Sequence, residues 1–126
     1  MINYQDPDYV HWGPRAFYTR AISIIDEGVR EIYTATQNDE EYRNNTVFVI
    51  VPDCGRDSNR CMPVPYQHHF QAHDIFALIA GPRAFVPQER RPVDRLQQQT
   101  FVARTLGQIM RFDTPMAASE SLLDRV

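Results

Sequence analysis

The spacing of apolar residues near the start of the chain predicts a long amphipathic helix. From Arg15 to about Thr36, apolar side chains recur every three or four residues, which is the period of one helix face. The main positions of this stripe are Tyr18, Ile22, Ile25, Val29 and Ile32. Charged residues occupy the opposite side, as expected of a face in water. Pro14 suits the first helical position, where its missing N–H costs nothing.

Two shorter apolar runs predict strands. Residues 47–51 (VFVIV) form an uninterrupted and mostly β-branched run, which is typical of a strand buried on both faces. The polar residues 37–45 before it predict a loop. Residues 75–80 (IFALIA), which Gly81-Pro82 follows, predict a second buried strand.

The last third of the chain predicts a second helix and a covering tail. The helical period runs from Leu96 to Met110, and Asp94 with Gln97 three residues later forms a capping-box pattern. Leu122-Leu123 would then cover a sheet edge. The predicted order of elements is helix, strand, strand, helix, which is an α/β arrangement within a single domain over residues 1–126. Two strands are too few for a stable layer, so we expect an incomplete sheet that belongs to a larger one and a tendency to self-associate.

Composition narrows the functional classes. The net charge of −3 and the lack of a basic stripe argue against a nucleic-acid partner. The apolar runs are too short to span a membrane and the first residues (MINYQDPDYV) show no signal pattern, so we expect a soluble protein that does not interact with membranes. Cys54 and Cys61 do not form a C-x-x-C pair; two free thiols are favoured over a local disulfide.

The residues that carry chemistry lie in three places. Asp53 and Cys54 directly follow the first predicted strand, and open α/β sheets bind ligands at the carboxyl ends of their strands. The adjacent imidazoles His68 and His69 come later, and consecutive residues usually point in different directions, so we expect at most one of them to be a ligand. The opening segment, predicted as a loop, contains Asp6, Asp8 and His11.

Four segments, in the same order, resemble the carboxyl-terminal half of the alkaline phosphatase superfamily. They are PDYVHWGP, NNTVFVIVPDCG, IFALIAGPRAF and QTFVARTLGQIMRFDTPMAASESLLDRV. That superfamily includes sulfatases, nucleotide pyrophosphatases/phosphodiesterases and cofactor-independent phosphoglycerate mutases. The resemblance implies a partial alkaline-phosphatase-like sheet flanked by helices.

The resemblance also implies a set of metal ligands. One metal would take Asp8 and His11, or Asp6 in place of Asp8 because the spacing is one residue tighter than the family pattern, with a later histidine completing the site. Asp53 and Cys54 would bind a second metal. Cys54 replaces the family's histidine, so either its thiolate binds zinc or the second metal is absent. The implied ligands are Asp8, His11, Asp53, Cys54, His68 and His69.

By this resemblance the chain is part of a metal-dependent phosphoester or sulfoester hydrolase that acts on an anionic ester with zinc or manganese. The family's nucleophile belongs to an amino-terminal half that has no match here, so we expect it on a second polypeptide or in a part of the protein that this sequence does not include. One alternative is a non-catalytic relative that works by binding or assembly. Another is a thiol phosphatase using Cys54-x5-Arg60. Pro63 and Pro65 disfavour it, because they prevent the helix that normally follows such a loop.

Overall fold

The structure is a computed structural model that describes residues 1–9, 14–55, 75–86, 98–117 and 120–123. Its elements, in chain order, are α1 (Asp6–Tyr9), α2 (Arg15–Asn38), β1 (Phe48–Ile50), β2 (Leu78–Ala80) and α3 (Phe101–Met110). The two strands pair in an antiparallel sheet. The predicted α/β class and the order of the four main elements are therefore confirmed, whereas the alkaline-phosphatase-like architecture stays a prediction.

The chain divides into two compact units, Met1–Ile79 and Ala80–Val126. The expectation of a single domain over residues 1–126 stays a prediction. Within the described residues, no helix is both long and apolar enough to cross a membrane.

Helix α2 forms where the apolar period predicts it, with small differences at both ends. Pro14 lies one residue before the helix with an extended ψ of 147°, and its carbonyl accepts a 2.9 Å hydrogen bond from the Phe17 N–H. The helix continues to Asn38, two residues beyond the predicted end. It stops where the Asp39 carboxylate accepts hydrogen bonds from the next backbone N–H groups, at 2.8 Å from Glu41. This side chain offers the backbone a turn in place of another helical residue.

The first unit packs around one side of α2. Ala21 is buried, and α1 packs against α2. The opening segment, which the sequence predicts to be a loop, contains this short helix instead. A Cβ atom at Gly28 would lie 2.5 Å from the Tyr4 hydroxyl oxygen. This close approach explains a glycine in the middle of a helix, where it costs about 1 kcal/mol relative to alanine. The Tyr33 and Phe48 rings, 5.7 Å apart, join α2 to β1.

The strands are shorter and more exposed than predicted. All three residues of β1 are half-buried, so the prediction of a strand buried on both faces was wrong. In the second run, Leu78 is 51% exposed and Phe76 62% exposed. A continuous apolar run indicates a strand, but the layers that cover it are supplied by other parts of the fold.

Helix α3 organises the second unit. It begins at Phe101, after a turn in which the Phe101 N–H donates to the Gln98 carbonyl at 2.9 Å. The predicted helix start, with its capping box at Asp94 and Gln97, lies outside the described residues. The N-cap residue observed, Thr100, makes no side-chain capping bond.

The carboxyl-terminal tail is attached to α3 by a buried hydrogen bond. The fully buried Thr105 hydroxyl donates to the Phe101 carbonyl and accepts from the Leu122 N–H, both at 2.8 Å. Ser121, also fully buried, accepts from the Leu123 N–H at 2.9 Å. Leu122 is 8% exposed. The leucine pair that we expected at a sheet edge is thus held against a helix.

Candidate metal centre

Asp53 and Cys54 lie just beyond the carboxyl end of β1, as predicted. Val51 and Pro52 lead the chain out of the strand, and Pro52 has no N–H to continue a ladder of hydrogen bonds. Asp53 is exposed and Cys54 is half-buried. The Cys54 N–H donates to Asp53 Oδ1 at 2.8 Å, which orients the carboxylate over the first residues of the turn.

This pair of neighbours offers two kinds of metal donor. A carboxylate is a hard oxygen ligand, whereas a thiolate is a soft ligand that favours zinc over magnesium or calcium. Asp53 is exposed, so the pair supplies donor types that zinc accepts at a surface open to water.

Helix α1 contains both aspartates that are candidates for the first metal. Positions 6 and 8 do not share a face of this helix, since residues two apart on a helix do not face each other. Asp6 is half-buried. The structure describes the backbone of Asp8 as part of α1.

The three histidines predicted as ligands, His11, His68 and His69, lie outside the described residues. Within the described residues there is no group of three or more His, Cys, Asp or Glu side chains arranged to hold a metal ion. The convergence of the six predicted ligands on one cavity, which requires these histidines, stays a prediction.

Away from these residues, the exposed face of α2 contains an ion pair between Glu27 and Arg30, 2.5 Å apart. The hydrogen bond to Glu27 and its negative charge raise the pKa of Arg30. Both side chains are largely in water, where such pairs contribute little to folding. This pair is consistent with the solvated face that the sequence predicts for α2.

A second group of polar residues, which the sequence analysis missed, lies at the end of α3. A cavity of about 270 Å³ is lined there by Arg104, Gly107, Gln108, Arg111, Phe112 and Asp113. Arg104, Gln108 and Arg111 are four and three residues apart. The first two lie in the predicted helix and Arg111 directly follows it, so a polar group at the helix end was the available signal.

No family model matches this chain, and neither a curated protein nor a solved structure matches it. The similarity to the alkaline phosphatase superfamily thus depends on the four segments quoted above. Any function for the residues after β1 has to be argued from their own chemistry.

Proposed function

We propose that this chain binds divalent cations, zinc or manganese, one through Asp53 and Cys54 and another through an aspartate of α1, His11 and a later histidine. In this proposal the chain is the metal-binding half of a hydrolase for phosphate or sulfate esters. The observation that supports it is the placement of an exposed carboxylate and a half-buried thiol side by side after β1. The order of helix, strand, strand and helix around them is the order that the family resemblance implies.

The residues of this chain would hold the cation, and the nucleophile would come from outside these 126 residues. A bound divalent ion neutralises the ester oxyanion and stabilises the attacking and leaving oxygens. Asp53 contributes negative charge, and its bond from the Cys54 N–H limits how far the carboxylate rotates. The nucleophile would come from the family's amino-terminal half, which these 126 residues do not match, so we expect these residues alone to bind metal and to lack turnover.

Metal binding is the first test. We expect the purified chain to bind zinc in equilibrium dialysis. Asp53→Asn should weaken this binding by roughly tenfold or more, because loss of a ligand costs at least as much as loss of a residue that only orients one. The matched control is Glu40→Gln, which removes an exposed carboxylate from the turn after α2 and should leave zinc binding unchanged. Equal zinc binding by wild type and Asp53→Asn would contradict the proposal.

Changing Cys54 tests the second ligand. Cys54→Ala should weaken zinc binding, whereas Cys54→His restores the residue that the family pattern has at this position and should retain it. Cys54→His should also raise the affinity for manganese relative to zinc, since thiolate is the softer donor. Zinc binding by Cys54→Ala at the wild-type level would remove Cys54 from the site.

A chelator distinguishes thiol-based phosphatase activity from metal-dependent activity. Phosphatase activity that persists in EDTA and disappears when Cys54 is alkylated would contradict the metal-based proposal and favour the Cys54-x5-Arg60 alternative. A chain that binds neither metal nor ester would favour the non-catalytic relative.

A further inference from the structure

The cavity at the end of α3 contains two positive charges and one negative charge. Arg104 and Arg111 line it, together with Gln108 and Asp113. Arg104 lies within α3, and Arg111 is the first residue after it. The lining thus presents two guanidinium groups to one space with a net positive charge.

In the part of the chain that the structure describes, Arg104 and Arg111 form no ion pair, although the Asp113 carboxylate lines the same cavity. Two arginines that line one cavity and have no ion pair among the described residues are complementary to an anion that comes from outside.

The backbone at Arg111 points to a function for its side chain. Arg111 adopts the left-handed conformation, with φ 58° and ψ 45°, which glycine adopts without strain and other residues seldom do. The Gly107 carbonyl accepts from the Arg111 N–H and from the Phe112 N–H, so backbone groups already cap this helix end. Arginine replaces the usual glycine at a conformational cost, and such local strain often marks a binding position.

We propose that this cavity binds a small phosphate or sulfate monoester. Arg104 and Arg111 would donate charge-assisted hydrogen bonds to the oxyanion, since the planar guanidinium matches its oxygens. The Phe112 ring, 50% exposed, would contact the organic group of the ester. A cavity of about 270 Å³ lies at the lower end of ligand-binding volumes, which favours a small ester over a nucleic acid or a polymer.

This site is independent of the metal centre, because all its residues lie in the unit Ala80–Val126 and none is a predicted metal ligand. The two proposals therefore fail separately. Titrations in EDTA remove any metal-dependent binding, and Asp53→Asn should bind esters as wild type does.

The test is isothermal titration calorimetry of the full chain with phenyl phosphate, phenyl sulfate and inorganic phosphate. We expect a Kd for phenyl phosphate of roughly 1 mM or tighter. Arg104→Gln and Arg111→Gly should each weaken it by roughly tenfold, the loss expected for one charge-assisted contact. The matched control is Arg83→Gln, an exposed arginine of the same unit outside the cavity, which should not change the affinity. The tighter of the two phenyl esters identifies the oxyanion that the site prefers.

Two further variants test the charge and the ring. Asp113→Asn removes the negative charge and should tighten binding of both esters. Phe112→Ala should reduce the affinity for phenyl phosphate to that for inorganic phosphate. Glycine suits the backbone at position 111, so Arg111→Gly should fold normally and report on the guanidinium alone. The proposal is overturned if wild type shows no binding at about ten times the expected Kd. It is also overturned if Arg104→Gln and Arg111→Gly bind as wild type does, or if Asp113→Asn weakens binding.

Discussion

A single buried hydroxyl connects the carboxyl-terminal tail to α3. Thr105 Oγ1 accepts from the Leu122 N–H at 2.8 Å and donates to the Phe101 carbonyl, so its donor and acceptor capacities are both used. Threonine within a helix usually stabilises it less than alanine does, because its β-branch restricts χ1. Here its hydroxyl supplies a bond between segments distant in the sequence, which offsets that cost.

Replacing this hydroxyl gives a prediction with an internal control. Thr105→Val keeps the branched shape but leaves the buried Leu122 N–H without its acceptor, and should lower the free energy of unfolding by about 1–3 kcal/mol. Thr105→Ser retains the hydroxyl and should lose less. Urea denaturation measures both changes. If Thr105→Val and Thr105→Ser prove equally stable, the tail is not held by this bond.

The candidate site shows which residues a sequence reveals. Asp53 and Cys54 were predictable, because a strand signal ends immediately before them and a chain leaving a strand places its next residues at the sheet edge. Arg104 and Arg111 were missed. The usual sign of a left-handed helix end is glycine or asparagine, and an arginine at that position gives no such sign.

At the scale of elements, a close contact determines how α1 and the residues before it sit on α2. The Tyr4 ring covers Gly28, where a Cβ atom would meet the tyrosine oxygen and ring carbons at 2.5–3.0 Å. Alanine at position 28 would raise the helix propensity of α2, but the Tyr4 ring would have to move away. Packing and propensity therefore oppose each other at this residue.

A double-mutant cycle measures this opposition. In a Tyr4→Ala background, Gly28→Ala should stabilise the chain by about 0.5–1 kcal/mol, which is the helix-propensity gain. In the wild-type background the same change should give no gain, because it displaces Tyr4. The coupling is obtained from the free energies of unfolding of the four proteins. An identical effect of Gly28→Ala in both backgrounds would show that Tyr4 does not rest on α2 in solution.

Local sequence patterns predicted where the helices and strands lie along the chain, but they did not predict how deeply each one is buried. The apolar period located α2 to within two residues of its observed end, since a long amphipathic stripe is a strong local signal. The same kind of reasoning predicted full burial for β1, whose residues are half-buried. How deeply a strand is buried depends on what packs over it, and no local pattern contains that information.

For the whole molecule, the exposed apolar residues around β2 predict self-association. Phe76 and Leu78 are more than half exposed, and in the described sheet β2 has β1 as its one neighbour. An apolar strand with an open edge is a template for pairing with another chain. We therefore expect a second copy of the chain to cover this region.

Sedimentation velocity tests this expectation. The wild-type chain should associate with increasing concentration, and Phe76→Lys with Leu78→Lys should shift it toward monomer, because charged side chains at an edge oppose pairing. Met116→Lys is the matched control, since Met116 is an exposed apolar residue outside the strands and its replacement should not change the association. A wild-type chain that remains monomeric at all concentrations would contradict the incomplete-sheet prediction.

By itself, the sequence determined the α/β class, the approximate places of α2, β1, β2 and α3, and the position of Asp53 and Cys54 directly after a strand. These depend on periodicity and on residues close in the chain, whose physical effects are local. The tertiary structure alone decided that Tyr4 rests on Gly28, that Leu122 is bonded to Thr105, and that two arginines line one cavity. Each of these depends on which residues the fold brings together, and the one-dimensional order of residues does not specify that.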